Sequence, residues 1–81
     1  MENRVAVVGI ILENREETAS KVNEILSKYG NIIVGRMGIP YRERGISIIA
    51  LIVDGTTDDI GAMTGKLGSI KGVKVRSAVA I

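Results

Sequence analysis

Arg36 stands inside an apolar run, Ile33-Val34-Gly35-Arg36-Met37-Gly38-Ile39, and a charge so placed needs a reason. Its guanidinium could hold a carboxylate across a subunit interface, where such a pair fixes register more than it adds affinity, or it could point outward and guard a strand edge. A little further on, Arg42 and Arg44 flank Glu43 in Pro40-Tyr41-Arg42-Glu43-Arg44-Gly45. Two forked guanidinium groups there could receive a small anion or a partner's acidic patch, although a solvated turn with charges of both signs accounts for them equally. The third feature is Gly61-Ala62-Met63-Thr64-Gly65-Lys66. It is not a phosphate-binding loop, because its glycines fall inside a helical pattern and not before one. With Gly68 they form a strip of bare backbone that could admit a ligand, or more readily the first helix or a neighbouring subunit.

Most enzyme chemistry has no residues to work with. The sequence contains neither histidine nor cysteine, which removes the commonest acid–base and nucleophilic groups and the usual transition-metal ligands. Asp54, Asp58 and Asp59 cluster where a helix begins, and dipole complementarity explains them without catalysis. No catalytic residue, metal site or cofactor is therefore expected, and the chain reads as a non-enzyme. A net charge of +2 is too slight to imply a polyanionic partner, and Tyr29 and Tyr41 alone cannot build a base-stacking surface, so nucleic-acid binding is not expected. No signal-peptide pattern opens the sequence and no apolar run reaches the length of a membrane span. A cytoplasmic protein without membrane contact is the expectation.

The elements that must position these residues follow from hydrophobic patterning. Val5 to Leu12 and Ile46 to Val53 are apolar on both alternating sets, as central strands are. Between them, Asn14 with Glu17 suggests a capping box. Thr18, Val22, Ile25, Leu26 and Tyr29 then mark one stripe of a helix that Gly30 ends in a left-handed conformation. Asn31 to Ile39 reads as a mixed strand ended by Pro40, and the short charged turn back to Gly45 implies an antiparallel hairpin. A threonine cap opens a second helix with Ile60, Met63, Leu67 and Ile70 buried. Gly72 turns the chain into Val73 to Ile81, where alternation with Lys74 and Arg76 fits an edge strand.

The order β-α-β-β-α-β is the split plan of ferredoxin-like α+β sandwiches: a four-stranded antiparallel sheet in the order 4-1-3-2 with two helices on one face. Residues 1–81 make a single domain. Both helices cover one face only, which leaves an apolar face of several hundred Å², on the order of the largest patch a soluble monomer exposes. A second copy is the economical cover, so a homodimer or homotetramer is expected, with edge-to-edge pairing as the plainer alternative.

Three segments carry a family resemblance over nearly the whole chain: Gly35-Arg36-Met37-Gly38-Ile39-Pro40, then Ile46 to Gly55, then Asp59 to Gly68 leading into Gly72-Val73-Lys74-Val75. Together they resemble the small stand-alone family described as "putative iron-only hydrogenase system regulators". That family is similar in fold to ACT domains and to the C-terminal domain of nickel-responsive repressors. The resemblance implies an ACT-like regulatory domain that self-associates and contacts a hydrogenase-maturation or transcription-regulating protein, with Arg36, Gly38 and the turn from Arg42 to Arg44 as its contact surface. An alternative it allows is a small-molecule sensor with its ligand between subunits near Gly61, Gly65 and Lys66. Two departures limit what carries over. The histidine and cysteine ligands of the nickel repressors are absent, and Glu13-Asn14-Arg15 stands where amino-acid-binding ACT domains place a glycine, so neither nickel sensing nor amino-acid binding is implied. Any control of transcription is expected to act through another protein.

Overall fold

Burial alternates strictly along the first strand, β1 (Arg4–Glu13): Ala6, Val8, Ile10 and Leu12 are buried, while Val7, Gly9 and Ile11 are exposed. A period of two with only one set covered means a sheet with helices on a single side. The computed structural model, which describes residues 2–81, has this architecture. β1 is followed by α1 (Glu16–Lys28), β2 (Ile33–Tyr41), β3 (Ile46–Gly55), α2 (Thr57–Gly68) and β4 (Val73–Val79), with short 3₁₀ turns at Gly30–Ile32 and Arg42–Arg44. The strands lie in the order β2-β3-β1-β4 and every pairing is antiparallel, as the patterning predicts.

Both helices press their apolar stripes on the same face. Val22 and Leu26 of α1 and Ile60, Met63 and Leu67 of α2 share one core with Val8, Ile10, Leu51 and Val53 of the central strands. Thr56 caps α2 by accepting from the Asp59 amide at 3.1 Å. Two turns need a backbone that glycine alone adopts freely: Gly45 at φ 65° and Gly72 at φ 84°.

Three local expectations are corrected. Asn14 is not the cap of α1; its amide instead donates to the Gly45 carbonyl at 2.9 Å, and extended Arg15 becomes the N-cap with no side-chain capping bond. Gly30 is not left-handed, because α1 ends at Lys28 with Tyr29 as its C-cap and the chain runs on into a 3₁₀ turn that buries Ile32. Pro40 does not end β2, which continues to Tyr41 paired opposite Ile46. On an edge strand a missing donor is tolerated.

Candidate functional site

A break in β2 decides where its side chains go. The pairing with β3 shifts between Ile33 and Gly35, so that Val34 is an extra, bulged residue. Bulges re-aim the side chains that follow them. Ile33 lies opposite core-facing Val53, and plain alternation would send Arg36 to the other face. With the bulge, Arg36 lies opposite Leu51 and Gly38 opposite Ile49, both on the helix side, while Met37, Ile39 and Tyr41 turn to the open side.

On the helix side this leaves a cleft of about 220 Å³ between α1 and β2. Its apolar wall includes Leu12, Val22 and Ile49, all buried, and Arg36, Asn23 and Ser47 supply its polar groups. The Arg36 guanidinium donates from Nη2 to Asn23 Oδ1 at 3.3 Å. Among the described residues no carboxylate pairs with Arg36, the ion pairs there being those of Arg15 with Glu13 and Glu17.

The open side carries a second feature, read as rows across the sheet. One row is Ile39, Ile48, Ile11 and Lys74; the next is Met37, Ala50, Gly9 and Arg76; the third is Gly35, Ile52, Val7 and Ala78. Val7, Ile52 and Met37 expose 52, 49 and 60% of their surface, which makes this face contiguous and greasy across three strands. At its end, Ile11, Ile46, Ile48 and Tyr41 line a shallow hollow with Arg44, Lys74 and Glu13 around it. Three turns meet there, tied by Glu13 N to Gly72 O at 3.0 Å and by Asn14 N to Gly45 O.

A family model described as "TM1266-like: Iron-only hydrogenase system regulator, putative" matches residues 4–77. The chain belongs to this family. The TM1266-like chain is similar over its whole length to a solved structure from Thermotoga maritima, an uncharacterized protein, TM1266. The two are 39% identical with a TM-score of 0.97, covering 99% of this chain and 100% of that one. It is also similar to the ACT domain of GTP pyrophosphokinase from Chlorobium tepidum, with 20% identity, a TM-score of 0.79 and coverage of 94% of this chain and 99% of that domain. A third similar structure, formyltetrahydrofolate deformylase from Pseudomonas putida, shares 11% identity at a TM-score of 0.67, covering 95% of this chain but only 29% of the enzyme. The last two show that the fold is ACT-like and nothing about activity. No curated protein matches.

Of the residues that sequence singled out in this TM1266-like chain, Arg36 and Gly38 share the α1–β2 cleft and Arg44 lines the hollow at the end of the open face. Arg42 sits in the same turn as Arg44 but does not line that hollow. Gly61, Gly65 and Lys66 lie apart on the outer side of α2. A Cβ added at Gly61, Gly65 or Gly68 would meet nothing within 4 Å, so α1 does not close on the glycine strip, contrary to one of the packings expected there. Lys66 instead sits over the Tyr29 ring with Nζ 5.3 Å from the centroid. Sequence reading missed Asn23 and Ser47. Ser47 is the one polar residue on the inner face of β3 between Gly45 and Asp54, a signal legible once the strand is assigned; Asn23 becomes visible only when the bulge puts Arg36 beside it.

Proposed function

We propose that this TM1266-like chain is a non-enzymatic regulator of the cytoplasm that works by protein contact. It pairs with itself as a homodimer or homotetramer through the open face of the sheet. The charged end bearing Arg42 and Arg44 is then left to meet a hydrogenase-maturation or transcription-regulating protein. The observation that carries the reading is the open face itself, on which Val7, Ile11, Met37, Ile39 and Ile52 are all exposed in a single chain. Fully burying such a side chain is worth about 1.5–3 kcal/mol, and since each of these exposes roughly half of its surface about half of that is left to gain, before the cost of association is subtracted. No described helix is long and apolar enough to cross a membrane.

Sedimentation equilibrium at micromolar concentration tests the self-association. The expected mass is a multiple of 8.6 kDa for the parent and 8.6 kDa for Ile52→Lys, whose circular dichroism spectrum stays that of the parent. A monodisperse 8.6 kDa parent overturns the reading. For the partner, the expected result is co-purification with a maturation or regulatory protein from the native cell, reduced by Arg42→Glu with Arg44→Glu.

A further inference from the structure

We infer that the α1–β2 cleft is a binding site for a small organic monocarboxylate with a short branched apolar tail and no ammonium group. This goes beyond the contact reading, and it stands on the opposite face of the sheet from the surface that reading uses. The bulge at Val34 supplies the first observation, because without it Arg36 would point to the open face and Met37 would fill the space beneath α1. Gly38 supplies the second. Where β2 passes over Ile49 it carries no side chain, and a Cβ built there would lie an ordinary 3.9 Å from Ile49 Cγ1, so the space is open and not enforced by crowding.

The polar groups around the opening are donors of one kind. Arg36 has guanidinium N–H groups beyond the one it gives Asn23, and Asn23, whose Oδ1 is taken by Arg36, has its Nδ2 left to donate. Ser47 Oγ is half-buried in the wall and makes no hydrogen bond among the described residues. A carboxylate set at Arg36 can accept from the guanidinium and from Asn23 Nδ2, and charge-assisted bonds of that kind are the strong ones, while Ser47 lines the far end of the cleft beside Leu12. Its tail then lies against Leu12, Val22 and Ile49. No aspartate or glutamate lines the cleft, so an ammonium group would lose its water with no counter-charge to meet. At about 220 Å³ the cleft is below the roughly 300–1,000 Å³ of sites for drug-sized ligands, which limits the tail to a few carbons.

Titration of the full chain with 3-methylbutanoate, followed by the amide signals of the protein in ¹H–¹⁵N spectra, tests the site. Saturable shifts are expected at Asn23, Arg36 and Ser47, about nine-tenths complete at about 10 mM for a dissociation constant of about 1 mM. Acetate, which lacks the tail, is expected to bind at least about tenfold more weakly, as are the neutral 3-methylbutanamide and the zwitterion leucine. Arg36→Met is expected to lose about tenfold or more, and Gly38→Val, which fills the cleft, to abolish the shifts while melting like the parent. Shifts that do not saturate overturn the inference. So does equal binding by Arg36→Met, by the amide or by leucine.

Discussion

Gly55 closes β3 directly against Ile32, and a Cβ there would come within 2.9 Å of Ile32 Cγ2. The contact is with a buried, branched side chain held in a 3₁₀ turn, so it cannot swing aside. Gly55→Ala is therefore expected to cost about 1–3 kcal/mol, read as a lower urea midpoint at unchanged slope. Gly35→Ala is the control: an added Cβ meets nothing within 4 Å, and its change should stay within about 0.5 kcal/mol. An equal loss at the two positions would show that strand glycines matter here through backbone freedom and not through contact. Arg36 teaches the complementary lesson about charges. Its oddity was visible in the sequence, as an interface charge or an edge guard, but its neighbour was not: the exposed guanidinium stands at the edge of α1 and donates to Asn23.

At the level of elements, α2 carries a cost that nothing in the folded chain offsets. Gly61, Gly65 and Gly68 lie within a 12-residue helix, with open space where their side chains would be. Gly61→Ala and Gly65→Ala are each expected to stabilise the fold by about 1 kcal/mol, measured by chemical denaturation. The same variants, weighed in the ultracentrifuge, should keep the parent's mass; a lost oligomer would instead make the glycine strip the seat of subunit contact. The elements themselves were legible because composition and position agree. β1 and β3 are apolar on both sets and lie at the centre, while β4 alternates with Lys74 and Arg76 and lies at an edge. What escaped was decided by contacts between elements. The start of α1 is set by the bond from Asn14 to Gly45 across the hairpin, which no capping pattern contains. The register of β2 is set by a one-residue slip against β3, and a slip of one sends every later side chain to the other face. That slip also hid half of the cleft, since Arg36 and Gly38 stand out alone while Asn23 and Ser47 gain meaning only beside them.

For the whole molecule, size and shape lead to one consequence. A chain of 81 residues buries only about 60% of the surface its unfolded form exposes. Here the sheet is long and covered on one side, with principal extents of 40 × 18 × 17 Å. If a second copy supplies the missing cover, association is linked to folding and adds to the stability of the chain, and dilution must lower the melting temperature. Each tenfold change in concentration moves a two-state dimer by about 1.4 kcal/mol. For a domain of this size that is a shift of several degrees, readable by scanning calorimetry over a hundredfold range. The parent is expected to melt higher as it is concentrated. Ile52→Lys, with a charge in the middle of the open face, is expected to melt at a temperature independent of concentration. A flat response from the parent would leave the exposed rows of Val7, Ile11 and Ile52 without a second copy to cover them, and the contact surface would then have to be sought on a different protein.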